Sequence, residues 1–415
     1  MNIITEKSKI TKMMLILAVV YMISYMTRVN FGGLISEIVR AEGLEKSLVS
    51  ICVTALFATY GTGQLFSGLL GERIQPKKLI AVGLVTSAAM NVLVTVCSSP
   101  YQMAVVWGVN GIAQSFMWPP LVKLMTELFD EQDYKTAIVR VSWGSSAGTA
   151  AIYVLGSLLI GSFSEVYVFG KSMGWRSVFL LCAVLAFSMV FVVVKTCPEI
   201  ENSLVPEKTE SGKTKKPRGK IPFFMIFIMI AIVLIGTLRD GVTTWTPSLI
   251  SETFGLPTEH SILTGVLIPV FGMISFWVVN AINSKEKFKN ELFLSTLIFI
   301  TGSAAAALLA VFNAKSPILS VGLAAFLIGC MHGVNMLLVC IVPSRFKKYG
   351  NVSFVSGLLN FCTYVGSASA TYGIAKIVEK SDWKITAVIW SVTAALGALI
   401  CIFQTGKWKS FCSED

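Results

Sequence analysis

Charge is scarce in this chain of 415 residues: Asp, Glu, Lys and Arg together make up 14% of it, against 54% for the hydrophobic residues. A soluble protein of this length carries about 25% charged residues, so a soluble fold is excluded. Paired cysteines are also missing: the nine cysteines contain no CxxC spacing and sit mostly inside apolar stretches. A free Cys there behaves as a small apolar side chain, so neither a disulfide framework nor a metal site is expected. The apolar segments are continuous rather than alternating over about ten residues, which excludes a β-barrel. No nucleophile–base pair, phosphate-cradling glycine loop or metal-ligand cluster is legible. The chain is therefore expected to be no enzyme and to need no cofactor.

Long apolar runs are what the sequence does have. A helix needs about 20 apolar residues to cross about 30 Å of hydrocarbon, and runs of that length recur throughout. The pattern predicts an all-α membrane protein with twelve transmembrane helices, near 13–35, 48–70, 79–97, 101–124, 136–160, 176–195, 221–250, 261–282, 291–312, 317–341, 352–376 and 384–404. Lys7, Lys9 and Lys12 resemble the basic start of a signal peptide. The apolar stretch behind them nevertheless runs on to Arg28 without a small-residue cleavage site.

The net charge of +11 invites a nucleic-acid reading, and topology accounts for it better. With a cytoplasmic N-terminus and alternating spans, 24 of the 34 Lys and Arg fall inside, 8 outside, and Arg28 and Arg239 within spans. That asymmetry is the positive-inside rule and places both termini in the cytoplasm of an inner or plasma membrane protein. The sharpest break in composition is 196–220, with Pro198, Pro206 and Pro217 and the basic run Lys213, Lys215, Lys216, Arg218 and Lys220. It reads as a cytoplasmic linker in contact with anionic lipid. The halves on either side, 1–195 and 221–415, are equal in length and are expected to form two six-helix bundles. Six spans per half in parallel repeat is the plan of the major facilitator superfamily, in which the halves rock about a site near mid-membrane.

An arginine at the centre of a spanning helix costs about 2.5–3.5 kcal/mol on insertion scales, so it marks function by default. Arg28 in the first span and Arg239 in the seventh occupy similar places in the two halves, and are expected to form one anion site. Tyr21, Ser24, Tyr25, Arg28 and Gly32 share a helix face. Asn110, Gln114 and Trp118 share another in the fourth span, and Asn360, Tyr364, Ser367 and Thr371 another in the eleventh. For Asn110, Gln114, Asn360 and Ser367, helix packing is the favoured role over ligand contact. Arg239 has Asp240 beside it, but neighbours on a helix point about 100° apart, so the two are not expected to face each other. His332 is the mid-span histidine and is read first as a structural hydrogen-bonding group; His260 belongs to an outer loop. Arginine suits a phosphoryl group because its planar fork donates two parallel charge-assisted hydrogen bonds, which lysine does not.

Several motifs resemble the organophosphate:phosphate antiporter family, which includes the glycerol-3-phosphate and hexose-6-phosphate transporters. The first span reads Tyr25-Met26-Thr27-Arg28-Val29-Asn30-Phe31, and the fourth reads Gly111-Ile112-Ala113-Gln114-Ser115-Phe116-Met117-Trp118-Pro119-Pro120. The seventh has Arg239-Asp240-Gly241 followed by Trp245-Thr246-Pro247. The second has Tyr60-Gly61 and then the loop signature Gly68 to Lys77, while the eleventh has Gly357 through Tyr364 and Gly366. The resemblance implies Arg28 and Arg239 as the phosphate-binding pair, with Tyr21, Tyr25, Trp118 and Tyr364 beside them. Gln64 stands where the family has a lysine, Ala147 where it has a histidine a few residues after Trp143, and Asp240 where it usually has tyrosine. The site is expected to be less basic than the family's.

The resulting expectation is a monomeric carrier that exchanges an organophosphate for inorganic phosphate by alternating access. Its partners are a small anionic substrate and the lipid bilayer, not nucleic acid. Gly61, Gly63, Gly357 and Gly366 are expected to allow close packing, and Glu72, Arg73 and Lys77 to lock the cytoplasmic side of one state. Two alternatives are a proton-coupled symporter of an organic or sugar acid, with Asp240 or His332 titrating, and a membrane sensor of sugar phosphate that keeps the transporter fold.

Overall fold

In hydrocarbon each backbone N–H and C=O must be satisfied within the protein, and a helix does so segment by segment. The computed structural model describes residues 6–168, 170–200, 222–283, 290–312, 314–343, 345 and 352–413, without the side chains of 68, 69, 71–73, 131, 132, 135, 258, 259, 261, 280, 352–354 and 356. Most of the basic linker expected at 196–220 lies outside the described residues. The helices are α1 (Lys7–Glu42), α2 (Lys46–Arg73), α3 (Pro76–Val96), α4 (Pro100–Ser115), α5 (Trp118–Leu128), α6 (Glu131–Phe163) and α7 (Gly174–Thr196). They continue as α8 (Met225–Phe254), α9 (Thr258–Thr264), α10 (Leu267–Asn283), α11 (Glu291–Phe312), α12 (Pro317–Asn335), α13 (Val352–Lys380) and α14 (Trp383–Ser413). A two-stranded antiparallel hairpin, β1 (Tyr167–Val168) with β2 (Lys171–Ser172), joins α6 to α7 and turns at Gly170, whose φ is +75°.

Ten spans among the described residues are long and apolar enough to cross a membrane. The two others expected from sequence differ for identifiable reasons. The fourth breaks at Phe116–Met117 into α4 and α5, because Pro119 and Pro120 open α5 and cannot donate backward into a continuous helix. The eleventh, α13, carries a polar face with Asn360, Thr363, Ser367 and Thr371, which lowers its hydropathy. Large apolar side chains such as Trp277, Phe403 and Ile318 are 75%, 75% and 83% exposed, as expected of surfaces that meet lipid.

Contacts divide the described helices into two compact units, one of α1–α7 with α9 and one of α8 with α10–α14. Each unit has its own packed core; Trp107 and Trp175 lie in the first, and Trp245, Trp390 and Trp408 in the second, all fully buried. The helices that carry the two intramembrane arginines are pressed against one neighbour by glycine. In the first unit a Cβ at Gly144 of α6 would collide with the Ala18 carbonyl oxygen of α1, and one at Gly148 with that of Met22. In the second unit a Cβ at Gly236 of α8 would strike the Thr363 carbonyl oxygen of α13, and one at Gly366 that of Val233. Small residues let backbones approach this closely, and dispersion then holds them.

Candidate substrate-binding site

In the first unit, α1 is 36 residues long, about 54 Å at 1.5 Å per residue, and places Arg28 well inside the span. The Arg28 guanidinium lies over the Tyr25 ring, 4.0 Å from its centroid, and over the Tyr60 ring of α2 at 4.8 Å. Aromatic faces attract a cation by about 0.5–2 kcal/mol without cancelling its charge. Gln64, one turn beyond Tyr60, donates from Nε2 to the Tyr60 hydroxyl at 2.6 Å and fixes that ring. Tyr21 packs edge-on against Tyr25 at 5.0 Å and against Trp118 at 5.0 Å. The break before α5 delivers Trp118 to that place. Tyr21, Tyr25, Arg28, Gln64 and Trp118 thus lie in one aromatic-polar cluster. Tyr60 belongs to it too and was legible only as part of a motif.

Behind the cluster, a buried amide network ties α1, α3 and α4 together. Ser24 donates to Gln114 Oε1 at 2.7 Å, and Gln114 Nε2 donates to Thr27 Oγ1 and Ser87 Oγ, both at 2.9 Å. Ser87 donates to Asn110 Oδ1 at 2.7 Å, and Asn110 Nδ2 donates to the Thr27 carbonyl at 3.0 Å. Gln114 and Asn110 are at most 1% exposed, so they pack helices together rather than face a ligand. The network fixes the rotation of α1 and with it the direction of Arg28.

In the second unit the expectation that Arg239 and Asp240 do not face each other is corrected. Arg239 donates from Nε to Asp240 Oδ1 at 2.7 Å and from Nη2 to Asp240 Oδ2 at 2.8 Å, a bidentate pair between sequence neighbours on α8. The 100° rule governs where Cβ atoms point. The long arginine stem reaches back around the helix, and both side chains are well covered, 12% and 17% exposed. Ser367 of α13 donates to Asp240 Oδ2 at 2.6 Å, and Arg239 Nη1 donates to Asn335 Oδ1 at 3.1 Å. Ser367, expected to serve packing alone, therefore also positions the carboxylate. Asn335 was not anticipated, although it lies one turn after His332 on the same face of α12. It ends that helix where a π-helical segment, Met336–Ile341, begins; such wide turns recur at functional sites.

His332 packs against the Phe276 ring at 5.8 Å and against Gly272, where a Cβ would lie 3.2 Å from His332 Cδ2. Tyr364 is half-buried on α13, one turn before Ser367. Trp245 is fully buried and donates from Nε1 to the Thr371 carbonyl at 3.2 Å, a packing role. Ala147 of α6 is exposed. Of the expected lock, Lys77 pairs with Glu199 at 2.9 Å, and Gln75 beside it accepts from the Ile200 backbone N–H at 3.0 Å. The Lys77 ammonium holds the Glu199 carboxyl below the usual carboxylate range. The side chains of Glu72 and Arg73 lie outside the described residues.

Comparison with known proteins agrees with this architecture. The chain is similar to the glycerol-3-phosphate transporter of Bacillus subtilis, 25% identical over 92% of this chain and 90% of that protein. It is also similar to the membrane sensor protein UhpC of Escherichia coli, 21% identical over 92% of this chain and 89% of that one. Among solved structures, the inward-open xylose transporter XylE of E. coli superposes with a TM-score of 0.75 at 13% identity, over 94% of this chain and 95% of that chain, which bears on the fold alone. The family model described as Major Facilitator Superfamily matches residues 17–371. This membrane-embedded, almost wholly helical chain, matched over most of its length, belongs to the major facilitator superfamily of transporters and is not an enzyme.

Proposed function

We propose that the protein exchanges an organophosphate, a glycerol phosphate or a sugar phosphate, for inorganic phosphate. Arg28 and Arg239 bind the phosphoryl group, with Tyr21, Tyr25, Gln64, Trp118 and Tyr364 lining the path of the organic part. The observation that carries the reading is the Arg28 guanidinium held mid-span between the Tyr25 and Tyr60 rings. Ring faces stabilise a cation without neutralising it, and the planar fork of a guanidinium matches two phosphoryl oxygens. The similarity to a glycerol-3-phosphate transporter supports the same class of ligand. The reading includes monomeric function in the plasma membrane with both termini cytoplasmic.

The deciding experiment is counterflow in phosphate-loaded proteoliposomes. Uptake of radiolabelled glycerol 3-phosphate or hexose 6-phosphate should require internal phosphate and persist after the proton gradient is collapsed. Uptake that dies with the gradient would instead support proton symport through Asp240 or His332. Similarity to a membrane sensor favours a second reading, in which the fold binds a phosphate ester and signals. Saturable binding with no flux would select it.

A further inference from the structure

In the second half-site, both oxygens of the Asp240 carboxylate take hydrogen bonds from one edge of the Arg239 guanidinium, at 2.7 and 2.8 Å. This is the geometry in which arginine grips two oxygens of a phosphoryl group. The carboxylate is also held from the far side by Ser367 at 2.6 Å, and the guanidinium by Asn335 at 3.1 Å. Four side chains from α8, α12 and α13 thus fix one neutral pair at a place where a lone arginine would present a full positive charge. We propose that Asp240 is a specificity-determining residue, a resident carboxylate that shifts the selectivity of the site away from dianions and toward singly charged phosphate ligands. The proposal rests on the reading of Arg239 as a phosphate-binding residue.

The physics follows from charge alone. A ligand arriving at Arg239 meets the guanidinium attraction and the Asp240 repulsion together. A like charge within about 4–6 Å disfavours an ionised group by about tenfold or more per unit charge. A dianion suffers that repulsion twice, so Asp240 penalises a dianion over a monoanion by about tenfold. The ligands favoured are the singly protonated forms of phosphate and its monoesters, and phosphodiesters.

The test is isothermal titration of the purified full-length protein at pH 8 with two probes. Glycerol 3-phosphate is a dianion there, and its methyl diester is a monoanion at any working pH. In Asp240→Asn, a near-isosteric change that leaves one oxygen to accept from Arg239 while Ser367 keeps the Thr363 carbonyl, the Kd of the monoester should fall about tenfold further than that of the diester. Ser367→Ala keeps the charge and should leave the ratio at its wild-type value. An unchanged ratio in Asp240→Asn overturns the proposal, as does a Ser367→Ala shift equal to that of Asp240→Asn. Failure of folded wild type and Asp240→Asn to bind either probe sinks the phosphate reading itself, and this proposal with it.

Discussion

The two intramembrane arginines, one in each compact unit, keep different company. Arg28 is flanked by the rings of Tyr25 and Tyr60, while Arg239 is locked to Asp240 and leans on Asn335. Ring faces stabilise a charge and leave it standing; a bidentate carboxylate removes it. The first arrangement leaves the guanidinium charge in place beside its rings, and the second offsets it with a carboxylate on the same helix.

The largest test of this contrast is on transport. Arg28→Lys keeps the charge and loses the planar fork, and counterflow should drop by about tenfold or more while membrane insertion stays normal. Near-normal flux would remove Arg28 from the site. Stability should rank the two sites in a second way. Arg239→Ala strands Asp240 in a covered environment, and breaking such a pair costs roughly 3–5 kcal/mol. Adding Asp240→Ala to Arg239→Ala should restore much of that loss, read by thermal unfolding in detergent. Arg28→Ala strips two ring contacts of about 0.5–2 kcal/mol each and should be the milder change. Equal losses at both sites, or no recovery in the double variant, would erase the distinction.

The backbone crossings should behave alike in the two halves. Gly148→Ala and Gly366→Ala each force a methyl group onto a neighbouring carbonyl, and overpacking of this kind costs about 1–3 kcal/mol. A loss in only one half would show that the crossings are not equivalent. The smallest effect is expected where the arginine helices end. Trp175 Nε1 donates to Glu42 at 3.1 Å at the end of α1, and Trp383 Nε1 to Glu252 at 3.0 Å at the end of α8. Glu42 keeps Arg176 at 2.9 Å when the indole is gone, so Trp175→Phe should cost about one ordinary hydrogen bond, roughly 0.5–1.5 kcal/mol.

The helical membrane fold was legible because apolar runs of spanning length carry their own signal, and so were Arg28 and Arg239, which stand out against hydrocarbon. The break at Phe116–Met117 was marked by Pro119 and Pro120, but a run of apolar residues on either side masked it as one span. The pairing of Arg239 with Asp240 is not legible from helix periodicity, because periodicity gives Cβ directions and the arginine stem reaches well beyond its Cβ. Asn335 and Ser367 were missed as parts of that site since their partners lie 96 and 127 residues away in sequence, a distance that no local pattern bridges. Tyr60 sat in plain view beside Gln64, but only the fold brings α2 against Arg28.

The glycine crossings have a mechanical consequence. With carbonyl oxygens of α1 seated against bare Cα atoms of α6, and α13 likewise engaged with α8, neither helix of a pair is able to slide past its mate without driving a side chain into backbone. Each pair is geared like a ratchet wheel in its pawl. Any displacement of Arg28 within its unit carries α6 along, and any displacement of Arg239 carries α13 with Ser367 still gripping Asp240.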